Sequence, residues 1–265
     1  MACFPQLLTG AAVQYPLVKR AIYRTIVNPA MDGSDWRVGD AAAARLEWDL
    51  QFEDLSDEEW DRLASFHSEM EGRLGEFTFL DPASNLLAFS EDLRRECWQK
   101  DPWLNLIDGV PDPLGRAGAT RVVNSGGEPQ WIQQLAAAPG WFHYCFSVYA
   151  RSGSNCAVSL RISSGGQEAE VRLATGSQWR RLSRSGRLQS TEEWVRFGIR
   201  MEAGASVDLF GMQAEAQPAP SAYRRTGLRR GIYARARFED EELLAVTRGP
   251  GRHSCRVRIS AARVV

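Results

Sequence analysis

Four side chains between positions 131 and 149 have the types and spacing for binding chemistry: Trp131, Trp141, His143 and Tyr149. Flat aromatic rings stack on the C–H faces of sugars, and polar neighbours fix the hydroxyls. Trp141 follows Pro139-Gly140 and so sits at a loop, where a ring can be presented to a ligand. His143 can donate a hydrogen bond, and Phe142 and Tyr144 flank it. A packing role competes with this reading. Phe146 and Val148 alternate with Ser147 and Tyr149, so one of the two sets must be core. Trp179 and Phe210 are expected to pack inside.

Other chemistries find less support. There is no GxSxG, HExxH or P-loop motif. Asp92 and Glu96 fall on one helical face, as do Glu58, Asp61 and Arg62, but neither group sits in a catalytic motif. A glycosidase-type carboxylate pair would have to be assembled from distant acids. The chain is therefore expected not to be an enzyme. Five cysteines, an odd number with no CxxC, read as reduced thiols, and the three histidines lie beside no ligand cluster. No metal or cofactor is expected; Ca²⁺ with help from Glu215 is the alternative, and it needs several oxygen ligands that one strand does not supply.

Charge is unevenly spread. Residues 1–83 carry 7 basic and 15 acidic side chains, whereas residues 224–265 carry 11 arginines and 4 acids. Arg224, Arg225, Arg229, Arg230, Arg235 and Arg237, interleaved with Tyr223 and Tyr233, have the look of a phosphate-contacting strip. The acidic opening competes for the same arginines, and arginine favours rigid bidentate pairing with carboxylates. Arg229, Arg230, Arg235 and Arg237, with Asp57 and Glu58, are thus expected at contacts between domains or between identical subunits.

The elements that must position these groups are mostly strands. Leu17–Val27 is rich in β-branched residues, and Ala43–Phe52 alternates Leu46, Trp48, Leu50 and Phe52 against Glu47, Asp49 and Gln51. Ser56 and Glu59 form a capping box for one helix, whose stripe is Leu55, Trp60, Leu63, Phe66 or His67, and Met70. Residues 85–120 are less regular. From Gly118 to Met212, short strands punctuated by glycines predict a sandwich or jelly roll. The tail after 226 is too small for its own core, so the expected division is a discontinuous domain, 1–84 plus 227–265, with a β-sandwich at 85–226 inserted. The fold class is all-β apart from one helix. No apolar run of 18 residues exists, so no membrane-spanning helix or membrane partner is expected, and the N-terminus lacks the features of a secretory leader.

Two resemblances follow. Trp48-Asp-Leu-Gln-Phe through Trp60, Glu71-Gly72 and Phe77-Thr-Phe-Leu-Asp-Pro82 resembles the distal tail (Dit-like) and minor tail proteins of long-tailed phages and gene transfer agents. The opening Asn85-Leu-Leu-Ala-Phe-Ser-Glu-Asp-Leu93, Phe146-Ser-Val-Tyr-Ala-Arg151, and Leu209-Phe-Gly-Met-Gln-Ala-Glu215 with Ser221-Ala-Tyr-Arg-Arg-Thr226 resemble phage-borne jelly-roll modules of the carbohydrate-binding class. Phe210 stands where a Trp is common there, and Ala214 where a Leu is common. The resemblance implies a structural protein of the virion tail tip, or baseplate, assembled in the host cytoplasm. It implies a homo-oligomer, a sixfold ring with threefold as the alternative, joining a tail tube protein to a baseplate hub protein. The alternative function is an adhesion module that binds a host surface glycan and uses the tail-like domain as an anchor.

Overall fold

The computed structural model describes residues 2–154 and 156–263. Among them, sixteen strands form three sheets, and α1 (Asp57–Glu69) is the one helix, so the chain is all-β in class, as the alternation predicts. No helix among them is long and apolar enough to cross a membrane. The chain divides into two units. One comprises Met1–Leu8, Ala12–Phe79 and Tyr233–Val265, and the other Thr9–Ala11 and Leu80–Ile232.

In the first unit the sheet runs β1 (Leu17–Pro29), β2 (Asp35–Leu55), β16 (Arg252–Ala262), β14 (Ile232–Phe238) and β3 (Phe77–Leu80), with β15 (Ala245–Gly249) also paired to β16. Trp48, Leu50 and Phe52 of β2 are buried with Phe77, Phe79, Phe238, Val257 and Ile259. The helix begins as its sequence dictates. The Ser56 hydroxyl accepts from the Glu59 amide at 3.3 Å, and the Glu59 carboxylate accepts from the Ser56 amide at 3.1 Å. Phe66 is its deepest aromatic, 5.2 Å from Phe77 and 5.9 Å from Phe238. Trp60, expected on the apolar stripe, is half-buried and stacks on His253 at 6.0 Å, because the first turn lies at the rim of the core.

Charge is settled locally in this unit. Asp49, expected on an exposed face, is only 6% exposed because Arg256 binds both its oxygens, at 2.7 and 2.5 Å. Arg235 and Arg237 both bind Glu76, Arg252 binds Asp54 at 2.9 Å, and His253 meets Asp57 at 2.7 Å. Pairing of β16 with β2 ends at Ala262 and Arg45. Beyond that point, among the described residues, residues 35–40 pair with β1 alone, after a register shift between Ile22 and Arg24. They make a two-stranded ribbon roughly 20 Å long at about 3.3 Å per residue.

The second unit is a sandwich of two five-stranded antiparallel sheets. One runs β10 (Gln167–Ala174), β9 (Ala157–Ser164), β12 (Val195–Met201), β7 (Gln130–Ala136) and β4 (Gln99–Lys100). The other runs β11 (Arg180–Arg187), β8 (His143–Arg151), β13 (Ser206–Glu215), β6 (Ala119–Asn124) and β5 (Leu104–Val110). Tyr144 and Phe146 of β8 meet Phe197 of β12 at 5.5 and 5.8 Å, which places the core between the sheets. The strands β4, β5 and β15 lie outside the expected set. β4 has two residues, and β5 is broken by a register shift between Ile107 and Val110, so neither shows a readable period.

The entry and exit of the sandwich run side by side. The Asp81 amide donates to the Gly231 carbonyl, the Gly231 amide to the Asn85 carbonyl and the Phe89 amide to the Gly227 carbonyl, each at 2.8 Å. A Cβ on Gly231 would come within 2.8 Å of the Ser84 Cβ, so the close approach requires glycine. The buried Asn85 side chain donates to the Met212 carbonyl at 2.8 Å and accepts from the amides of Leu87 and Ala214 at 3.0 Å, tying the entry segment to β13.

Residues 217–226 then form a strap over the outer face of the β8–β13 sheet. The Arg224 amide donates to Gln213 at 2.7 Å, the Ser221 amide to Glu215 at 3.1 Å, and the Tyr223 ring packs 5.3 Å from Phe210.

Candidate functional site

The strap covers the β13–β8 part of one outer face, whereas the outer face of the β10–β9–β12–β7–β4 sheet carries no such strap among the described residues. Its strands alternate. Trp131, Gln133 and Leu135 of β7 point out between the buried Ile132, Gln134 and Ala136. On β12, Arg196 and Arg200 point out between the buried Val195, Phe197, Ile199 and Met201. The register aligns three rows: Trp131 with Arg200 and Ser159; Gln133 with Gly198, Arg161 and Glu170; Leu135 with Arg196, Ser163 and Glu168.

Gly198 makes this face possible. A Cβ there would lie 3.1 Å from the Gln133 Cβ and 3.2 Å from the Trp131 ring, so glycine lets the indole lie across β12. The ring then reaches Arg161, whose guanidinium carbon is 3.6 Å from the ring centroid, while that of Arg200 is 5.6 Å away. Arg161 is held by Gln133 at 3.1 Å and Glu168 at 3.6 Å. Arg200 is held by Glu170 at 3.2 Å and Ser159 at 3.3 Å. Trp194 precedes β12 on the same alternation, with the Arg196 guanidinium 5.4 Å from its ring. Six residues of strand separate Trp194 from Arg200, the partner of Trp131, which is about 20 Å. The face is thus a polar platform with an indole towards each end. Such an arrangement can stack sugar rings and supply charged hydrogen-bond partners to hydroxyls.

The four expected side chains are not brought together. Trp131 is on this platform. Trp141, 39% exposed, sits in the turn before β8 and meets Phe142 edge-on at 6.1 Å. His143 begins β8 on the other sheet. Its Nε2 is 2.8 Å from the Ser185 hydroxyl, and burial, with Arg187 nearby, holds its pKa below the ordinary histidine value. Tyr149 packs with Phe210, Trp179 and Tyr223 in the small cluster beneath the strap, on the other sheet from Trp131. Trp179 and Phe210, expected in the sandwich interior, also belong to that outer cluster.

Trp194, Arg161, Arg196 and Arg200 carry the platform without having been singled out from sequence. The readable signal was Trp194-x-Arg196-x-Gly198-x-Arg200, an outward set on a strand whose inward set is wholly apolar.

The remaining expected residues have local roles. Glu215 is buried and accepts from Ser221 and Gln217, with Arg224 at 3.7 Å, so it anchors the strap. Among the described residues no group of three or more His, Cys, Asp or Glu is placed to hold a metal ion. Arg225 pairs with Glu91 at 3.1 Å. Arg229 is exposed; Arg230 is half-buried, and burial lowers its pKa. Glu58 pairs with Arg62 one helical turn on, at 2.5 Å, and Asp57 with His253.

No protein-family model matches the chain, and no curated protein matches it. Among solved structures it is similar to the module TmCBM61 in complex with β-1,4-galactotriose, at 17% identity, covering 49% of this chain and 97% of that one with a TM-score of 0.38. The CBM22-1 xylan-binding domain of Paenibacillus barcinonensis Xyn10C matches at 10% identity over 52% of this chain and 99% of that one, with a TM-score of 0.41. The enzymatically active domain of tailspike protein 4 of bacteriophage CBA120 matches at 10% identity over 52% of this chain and 22% of that one, with a TM-score of 0.40. With scores below 0.5, the functional reading rests on the geometry of the platform itself.

Proposed function

We propose that the sandwich is a non-catalytic glycan-binding module and that the other unit anchors it in a larger assembly. The observation that carries this is the placement of Trp131, laid across Gly198 and stacked on Arg161, on the sheet face that the strap leaves uncovered. Trp194 gives the platform a second aromatic end, and the arginines and carboxylates between them match a hydroxyl-rich ligand. A glycan array, followed by calorimetry on any hit, tests it with the wild type and with Trp131→Ala and Trp194→Ala. Truncating either ring should weaken binding by about tenfold or more, as for a buried aromatic anchor. Unchanged affinity in the double variant, with an intact circular dichroism spectrum, would remove the platform from the binding site.

A second reading, a subunit of a ring at the tail tip of a phage or phage-like particle, draws its support from the β1–β2 ribbon. Ile26 faces Val38, and Asn28 faces Trp36, on one side of the outer stretch of the hairpin, where no third strand pairs among the described residues. Trp36 is 68% exposed, and Tyr23, Met31 and Val38 are also exposed. Isolated two-stranded hairpins are marginal in water, and an apolar side of this length asks for a partner. A second copy taken up head to tail closes into a ring when the rotation allows. In that reading the ring joins tail tube to baseplate hub, and the sandwich is its adhesive appendage. Negative-stain images of the purified protein decide between rings and single subunits.

A further inference from the structure

We infer that the glycan taken by this platform is acidic, and that Arg196 binds a sugar carboxylate beside Trp194. The inference rests on the glycan reading above. Three of the four arginines on the face already have a carboxylate: Arg161 has Glu168 at 3.6 Å, Arg200 has Glu170 at 3.2 Å, and Arg172 has Glu202 at 3.6 Å. Arg196 has no ion pair among the described residues. It is half-buried, and its Nε is shut off from solvent with no hydrogen-bond partner.

A guanidinium drawn out of water without a counter-charge is costly, and the cost is relieved when an anion supplies one. The neighbours on the row are Leu135 on one side and Ser163 on the other, neither of which can do so. Glu168, further along the same row, is committed to Arg161. The Trp194 ring, 5.4 Å from the guanidinium, offers an apolar surface on which a pyranose can stack while its carboxylate takes the planar N–H fork of Arg196. The chemistry selected is that of a uronic-acid polymer, with one sugar stacked and its carboxylate paired.

The test uses the full chain and three uronic-acid polymers, polygalacturonate, alginate and hyaluronan, each beside its carboxyl-reduced form. Reduction keeps the sugar chain and removes the charge. The wild type should bind at least one acidic polymer about tenfold or more tightly than its reduced partner, the range of a charge-assisted hydrogen bond. Added salt should erode that preference. Arg196→Gln should abolish the preference, so that the acidic and the reduced polymer bind alike, and Arg196→Lys should keep part of it. Trp131→Ala should weaken both forms alike. Binding of reduced or neutral polymers with no acidic preference, or a preference that survives Arg196→Gln, overturns the assignment of Arg196 and leaves the glycan platform standing. If no polymer of either kind binds, and the wider array is also blank, the platform reading falls with it.

Discussion

Asp49 and Arg256 show how single residues hold the first unit together across its sheet. Hydrogen bonding from Arg256, against a smaller opposing effect of burial, holds the Asp49 carboxyl below its ordinary value of 3.8. A carboxylate whose folded pKa is depressed contributes stability above its unfolded pKa, and that contribution is lost as pH falls through the folded value. Thermal melts of the wild type should therefore lose stability as pH drops below about 4. Asp49→Asn should melt lower at pH 7 and show a smaller further drop in acid. An equal drop in both proteins would show that the pair has no such role. Phe66 and Trp60 make a second comparison. Phe66→Ala empties the aromatic cluster and should cost roughly 3–5 kcal/mol in chemical denaturation, whereas Trp60→Ala, at the rim, should cost clearly less. The sequence places Trp60 and Phe66 on one stripe without ranking them, because periodicity locates a face but not the depth of each position along it. The same limit hid Trp194 and promoted Tyr149. Alternation puts both rings on the outward side of their strands, but only the strap, formed by residues distant in sequence, decides which face stays open.

At the scale of elements, the β1–β2 ribbon makes the firmest claim. Trp36→Asp and Val38→Asp place charge on its apolar side without touching the core. In sedimentation velocity both should shift the protein toward smaller species, while the melting temperature of the monomeric unit stays within about a degree or two, as for surface changes. Assembly that ignores both substitutions would show that the ribbon is not the contact. The helix was legible to the residue, since the capping box is a local arrangement of Ser56 and Glu59 that no tertiary contact needs to reveal. The outer half of β2 was not. Gly39-Asp40 and the run Ala41–Ala44 show no alternation, so the sequence suggests a strand starting at Ala43, eight residues after its true start at Asp35. That stretch is a strand because β1 pairs with it, and pairing partners are not written in either strand alone.

At the scale of the whole molecule, one hydrophobic core is built on Trp48, Phe66 and Phe79, and another lies between Phe146 and Phe197. Scanning calorimetry should resolve two unfolding events, and Phe66→Ala should lower only one of them. A single transition shifted as a whole would mean that the cores unfold as one. The opposite charges of the chain's ends are matched by ion pairs within one unit, between Arg235 or Arg237 and Glu76, and between Arg256 and Asp49. Composition shows that imbalance at once, but not which carboxylate each arginine takes.

The doorway of the sandwich, where Asp81, Asn85, Gly227 and Gly231 clasp one another through backbone hydrogen bonds, has a further consequence. A cassette whose two ends leave through one narrow gate can be replaced by another of different taste while the host sheet keeps its strand order. If the sandwich binds a glycan as proposed above, exchanging the cartridge at that gate changes the target without remodelling the base that holds it.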